Sequence, residues 1–174
     1  MHQKPHLELA HEYWKSWLKS TDTVIDATCG NGKDTLRLAH LVPEGLVLAL
    51  DIQETALQKA RATASLPHVS FYHQSHATFP TCENVKLIVY NLGYLPGGDK
   101  SLTTHSKTTL ASIEKGLSIS QALSVTCYPG HPEGAVEESL LRDFFKSLDP
   151  EAWDVTYHFW KEGAPSLFWV FKKS

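Results

Sequence analysis

The sequence predicts an α/β fold: a seven-stranded, mostly parallel sheet with helices on both faces, closed by an antiparallel C-terminal hairpin. Three observations carry this. Short apolar runs alternate with segments of helical period along most of the chain, the pattern of strand–helix–strand units with right-handed crossovers. The apolar runs are near-continuous, as strands buried on both faces require. Last, "WDVTYHFW" and "SLFWVFKK", joined by "KEGAP", read as a β-hairpin.

The elements follow in order. Leu7, Ala10, Trp14, Trp17 and Leu18 recur at helical spacing, giving an amphipathic helix over about 5–19. "TVIDATC" reads as a buried strand, and a helix over about 32–42 stops before Pro43 and Gly45. "LVLALDI" is a second strand and "QETALQKARATAS" a helix ending before Pro67. "VSFYHQ" is the third strand, followed by a short helix at most; "VKLIVYNL" is the fourth, and a glycine-rich loop then leads into a helix around 104–119. After "ALSVTCY", the fifth strand, Val136, Leu140, Leu141, Phe144, Phe145 and Leu148 stripe one face of a helix. With no internal repeat, low-complexity segment or linker, one domain over 1–174 is expected.

Composition bounds the function. Apolar residues make up 42% and charged residues 20%, ordinary for a soluble globular protein. No apolar stretch approaches the roughly 20 residues of a membrane span, and "MHQKPHLELAHEYW" has no signal-peptide apolar core, so a cytoplasmic protein without a membrane partner is expected. Cys29, Cys82 and Cys127 form no C-x-x-C pair, and the ten histidines lack metal spacing. Neither a disulfide framework nor a metal site is expected. The net charge of −3 does not advertise a broad phosphate-binding face, although "GGDKSLTTHSK" offers a local basic patch. The sequence allows a homodimer and does not demand one.

In doubly wound sheets, ligands sit outside the carboxyl ends of the strands where strand order reverses, and the sharp motifs fall at such ends. The first is "TVIDATCGNGKDT" at 23–35, a strand–glycine–helix junction. A dinucleotide site wants G-x-G-x-x-G/A, yet Thr35 stands at the third small position; a G-x-x-x-x-G-K-[ST] phosphate loop is absent here and at "GYLPGGDKS". A nicotinamide-dependent oxidoreductase therefore ranks behind a second reading. A seven-stranded sheet with a terminal hairpin resembles class I S-adenosylmethionine-dependent methyltransferases, a Rossmann-like fold. Their ligand is cationic at sulfur, with an amino-acid tail and a ribose but no phosphates. On that resemblance Asp26, ending the first strand, orients the ligand's ammonium through backbone or water contacts. Asp51, ending the second strand 19 residues beyond Gly32, accepts from both ribose hydroxyls. Ser75 or His76, after the third strand, meets the adenine.

The fourth strand ends in "NLGYLPGGDKSLTT". Amine methyltransferases of class I carry [DNS]-P-P-[YF] here, and Asn91 and Tyr94 hold the outer positions while Leu92-Gly93 replaces the prolines. Methyl transfer needs a neutral nucleophile in near-attack geometry, about 3–3.5 Å from the methyl carbon. Asn91 can orient a neutral amine but is no strong base, leaving water or a nearby His to take the proton. The fifth strand ends in "CYPGHPEGAVEE", which places His131, Glu133 and Glu137 at the same rim.

Together, "DATCGNGKDT", "NLGYLPGGDKSLTT" and "YPGHPEGAVEE" resemble the bacterial rRNA methylase family, which includes the tRNA wobble-uridine methyltransferase MnmM (YtqB). The resemblance covers essentially the whole chain. It implies S-adenosylmethionine-dependent conversion of 5-aminomethyl-2-thiouridine to 5-methylaminomethyl-2-thiouridine at the tRNA wobble position, the anticodon loop being the partner. It further implies a cofactor loop of Asp26, Gly30, Asn31, Gly32, Asp34 and Thr35, with Asp51 at the ribose and Asn91 at the cofactor's reactive end. Asn91 and Tyr94 are implied as the catalytic pair. Gly93, Tyr94, Lys100, Thr103, Thr104, His131, Glu133 and Glu137 are implied at the substrate. Lys33, Arg37, Lys100, His105, Lys107 and Lys115 lie near that edge in sequence. Other substrates, another RNA or a small-molecule amine, stand as alternatives, as does a catalytically silent RNA-binding protein.

Overall fold

A computed structural model of the chain describes residues 4–93 and 106–174. The elements run α1 (Pro5–Trp17), β1 (Thr23–Asp26), α2 (Lys33–Leu41), β2 (Leu46–Asp51), α3 (Glu54–Thr63), β3 (Val69–His73), β4 (Val85–Asn91), α4 (Ser106–Ile119), β5 (Ala122–Cys127), α5 (Pro132–Lys146), β6 (Trp153–His158) and β7 (Ser166–Lys172). The seven strands form one sheet in the order β3-β2-β1-β4-β5-β7-β6. β1 to β5 pair in parallel. Only β7 runs the other way, antiparallel to both β5 and β6. This is the expected fold, and the hairpin supplies the reversed strand.

Two apolar layers sandwich the sheet. On one face α1 and α2 cover Val24, Val47, Leu87 and Trp169, with Trp14 at the centre. The Trp14 indole donates to Ser124 Oγ at 2.9 Å, satisfying a polar atom that burial would otherwise strand. On the other face α4 and α5 contribute Ile113, Leu141 and Phe145 to a layer with Ile25, Leu50, Ile88, Leu123 and Phe168. Each fully buried Leu, Ile or Phe here contributes about 1.5–3 kcal/mol of apolar transfer energy.

Two local readings are corrected, and a third, a short helix at most after β3, is met. Strand β1 is shorter than "TVIDATC": after Asp26 the chain splits its hydrogen bonds, Ala27 N–H donating to Val89 O of β4 and Cys29 N–H to Leu50 O of β2. It straddles the gap between two neighbours rather than extending a ladder. Residues 74–84 hold turns and no helix. On α5 the buried face is rotated from the expected stripe. Val136 and Leu140 are 55% and 39% exposed, while Glu137 and Glu138 are buried beside Leu141 and Phe145. Two hydroxyls explain it: Thr109 donates to Glu137 Oε2 at 2.6 Å and Ser166 to Glu138 Oε2 at 2.5 Å, so these acids are hydrogen-bonded in the interior.

Strand order reverses between β1 and β4, so the carboxyl ends of these two neighbours define the crevice. The β1 end is anchored by Asp26, which is 1% exposed. Its Oδ2 accepts from the Thr35 hydroxyl at 2.8 Å and its Oδ1 from Thr28 N–H at 3.3 Å. Burial pushes this carboxyl up to about 7; the negative charges of Asp34 and Asp51 push the same way, against the two hydrogen bonds. Gly32, which precedes α2, has φ +87°, and a Cβ on it would stand 2.7 Å from Ala60 Cα on α3. That turn therefore needs glycine both for its left-handed backbone and for helix approach.

Two outcomes follow from the anchor. Gly32→Ala strains φ and collides with α3 backbone, so it should cost about 2 kcal/mol or more in urea unfolding. Asp26 should also give a pH signature. Its folded value is raised, so the native state holds a proton that the unfolded chain has lost between about pH 4 and 7, and the group's stability contribution falls as pH rises through that window. Relative to Asp26→Asn, the wild type should gain on the order of 2 kcal/mol from pH 8 to pH 5; a pH-independent difference between the two would contradict the charge-burial account.

Candidate active site

The glycine turn and the end of β2 are wired together. Gly30 and Gly32 both have positive φ, which turns the Gly30 N–H towards Asp51 Oδ2 at 3.0 Å. Asp51 Oδ1 accepts from Gln53 N–H at 2.9 Å. Each carboxylate oxygen is thus pinned by one backbone donor and keeps further acceptor capacity. Asn31 is exposed, and its Oδ1 accepts from Lys33 N–H at 3.1 Å, which tightens the turn into α2. Asp34, in the first turn of α2, lies 3.4 Å from His11 Nε2 of α1. Asp26, Asp34 and Asp51 therefore gather three carboxyls around one turn, close enough for Asp26 to feel both others.

Asp26 itself does not face the crevice. Its oxygens serve Thr35 and Thr28, so its influence on a ligand runs through the loop backbone. Thr35, fully buried, is the residue that denied the dinucleotide pattern, and its hydroxyl is what the buried acid binds. Cys29 is 4% exposed, and burial, with Asp26 and Asp51 adding to it, keeps its thiol protonated; no nucleophile is offered there.

Across the crevice, Asn91 N–H donates to Thr28 Oγ1 at 2.6 Å, joining the end of β4 to the β1 loop. The Asn91 side chain neighbours the Tyr128 phenol, just past β5, closely enough to draw its pKa down. Burial, then the charge of Asp34, outweighs that pull and pushes the phenol up to about 12, so it stays protonated. The His6 ring of α1 meets Tyr128 edge-on, centroids 6.0 Å apart. Burial lowers the His6 pKa, with Lys4 and His11 adding to the fall and Asp34 opposing it. Gly93 is half-buried beside Tyr128. Tyr94, Lys100, Thr103, Thr104 and His105 lie outside the described residues.

The remaining expected residues divide. After β3, the Ser75 hydroxyl accepts from Ala77 N–H at 3.1 Å. His76 is buried edge-on to Tyr90 with Nδ1 unbonded among the described residues, and desolvation lowers its pKa to about 4. Either stands at the sheet's carboxyl edge, but only Ser75 is partly open. His131 is the N-cap of α5, accepting from Gly134 N–H at Nδ1. Glu133 is exposed in the first turn of that helix. Glu137 is corrected from a rim acid to an interior one, turned onto Thr109 of α4. Among the described residues no three potential metal ligands are gathered.

Four contributors escaped the sequence reading: Thr28, Tyr128, His6 and His11. Thr28 and Tyr128 lie inside quoted motifs, where their position at strand ends was a usable signal. His6 and His11 reach the crevice only because α1 packs across it, and nothing local marks them.

Comparisons with known proteins agree with this geometry. A family model described as "Putative rRNA methylase" matches residues 47–171. A chloroplast protein of Arabidopsis thaliana, "tRNA (mnm(5)s(2)U34)-methyltransferase", is 34% identical over 87% of this chain, which spans 62% of that relative's length. A crystal structure of a "putative rRNA-methylase" from Clostridium thermocellum is 31% identical, covers 99% of this chain and 100% of its own, and superposes with a TM-score of 0.92. A "putative methyltransferase" from Streptococcus mutans, solved with S-adenosylhomocysteine (SAH), is 31% identical with the same coverage and a TM-score of 0.87. The chain belongs to the rRNA methylase family.

Proposed function

We propose that the chain is an S-adenosylmethionine-dependent methyltransferase that N-methylates the aminomethyl group of 5-aminomethyl-2-thiouridine at the tRNA wobble position. The observation that carries the proposal is the pairing of an acid-lined glycine turn with Asn91, tethered to Thr28 across the β1/β4 switch point and neighboured by Tyr128. The Arabidopsis relative's name supports the choice of substrate. Among the described residues no helix is long and apolar enough to cross a membrane; a cytoplasmic, one-domain enzyme is part of the proposal.

The donor set suits S-adenosylmethionine better than a dinucleotide. Asp34 and Asp51, with a partly protonated Asp26 behind them, make a negative field around the turn that favours an ammonium and a sulfonium and opposes a pyrophosphate. Asp51 would hold the ribose hydroxyls with its remaining lone pairs, and the Gly30–Gly32 turn would let the amino-acid tail approach the backbone. Ser75 and the backbone around His76 would meet the adenine. When bound, S-adenosylmethionine supplies a methyl group activated by its sulfonium.

The chain's own residues prepare the amine. The Asn91 amide, set beside Tyr128 on a backbone held by the Thr28 tether, would accept from the amine and aim its lone pair, which is chiefly a positioning effect. A protonated Tyr128 adds no anion that would hold the amine in its ammonium form. His6, kept largely neutral by burial, is within the same cluster and can take up a proton. A small-molecule amine is the second reading, favoured by the net charge of −3.

Transfer of labelled methyl groups to tRNA carrying the unmethylated aminomethyl nucleoside, compared with free alkylamines, tests the substrate; label on the amines alone would overturn the proposal. Asp51→Ala should weaken S-adenosylhomocysteine binding in calorimetry by about tenfold or more. Asn91→Ala should leave that affinity within about twofold while lowering kcat on the order of a hundredfold, and equal effects of the two variants on cofactor affinity would contradict the assigned roles.

A further inference from the structure

The terminal hairpin carries an exposed ring that neither the core nor the cofactor cleft uses. Along β6, alternate residues face opposite layers. Tyr157 packs against Phe168 on the α5 side, and exposed Phe159 follows Tyr157 on that side. His158 faces α1, where its Nε2 is hydrogen-bonded to the Tyr13 hydroxyl at 2.7 Å, and Tyr13 in turn stacks on Trp169 at 4.7 Å. Trp160, next in this register, is stacked on His158 with centroids 6.1 Å apart and remains 37% exposed. The His6 ring meets it at 6.5 Å, and His6 meets Tyr128 at 6.0 Å. A row of rings therefore leads from the open indole through His6 and Tyr128 to Asn91.

We infer that Trp160, braced by His158 and bordered by His6, is a stacking site for an unpaired RNA base adjoining the nucleotide that enters the Asn91 crevice. The inference rests on the proposed tRNA substrate. Continuity with that crevice selects the occupant, since a loop nucleotide held at Asn91 brings its neighbour to the rim. Unpaired bases are commonly held on aromatic faces. Exposed Lys161 follows Trp160 and exposed Lys4 acts electrostatically on His6, so cations border the row, with Glu162 beyond it. An apolar protein partner fits less well. The other large apolar side chains exposed among the described residues, Val136, Leu140, Val155 and Phe159, belong to α5 or to the α5 side of the hairpin, so they make no contiguous patch with Trp160.

The test is fluorescence anisotropy of a labelled anticodon stem–loop RNA with wild type, Trp160→Ala, Trp160→Phe and Phe159→Ala. Thermal melting and S-adenosylhomocysteine calorimetry are run on each protein. Trp160→Ala should weaken RNA binding about tenfold, Trp160→Phe should recover most of it, and Phe159→Ala should match wild type, with cofactor affinity unchanged throughout. Wild-type RNA affinity in Trp160→Ala overturns the stacking site and leaves the enzyme reading standing. A wild type that binds S-adenosylhomocysteine but no RNA overturns the tRNA substrate and the stacking site together. A change of oligomeric mass in Trp160→Ala without loss of RNA affinity assigns the ring to a contact between copies and overturns the inference as well.

Discussion

The buried Asp26 carboxyl is the constraint on which the site depends. It reaches Thr35 on α2 and Thr28 in the loop after β1, and Thr28 then holds the backbone of Asn91 at the end of β4. One side chain thereby sets the start of a helix, the path of a glycine turn and the spacing of the crevice's two walls. Placing an ionisable group in the interior is costly unless its oxygens are bonded, and both are. The cost that remains appears as a pKa raised to about 7, and the benefit is a turn whose N–H groups point where a ligand and Asp51 need them.

Charge divides the crevice into two halves with different tasks. Around the glycine turn, Asp34 and Asp51 make the field negative, with Asp26 only partly ionised, which suits a cationic cofactor. Beyond Asn91 the groups are polar but kept neutral: Tyr128 is held protonated, and His6 is lowered by burial. An amine that must react as its neutral form gains from that contrast, because a carboxylate beside it would favour the ammonium. Helix α1 supplies the separation. Its His11 pairs with Asp34 beside the glycine turn while His6 packs on Tyr128 beyond Asn91, about one and a half helical turns away.

Much of this was legible in the sequence because it is local. Alternating apolar runs gave the strands, and a terminal acid on "LVLALD" marked Asp51, which stands beside the glycine turn as the motif requires. What the sequence hid depends on partners distant along the chain. Glu137 and Glu138 broke the apolar stripe of α5 because hydroxyls from α4 and β7 satisfy them. Asp26 was expected to act through backbone or water contacts, but that Thr35 and Thr28 would be the groups it binds could not be read from spacing. The early end of β1 has the same origin: the Ala27 and Cys29 N–H groups find acceptor carbonyls on two different strands, a choice that periodicity cannot express.

On the proposed tRNA substrate, an acidic chain must obtain affinity from something other than a blanket phosphate grip, which falls steeply with salt. The proposed stacking site at the rim would offer that source, because stacking depends little on net charge and acts on bases that a loop leaves unpaired. A hairpin that forms the sheet edge can carry such a ring without touching the cofactor half. Its inner residues are fixed by β5 and α1, while the residues after His158 are free to project. Division of labour between a rigid acid-lined turn and an aromatic edge also explains why α1 is needed, since it is the element that contacts both.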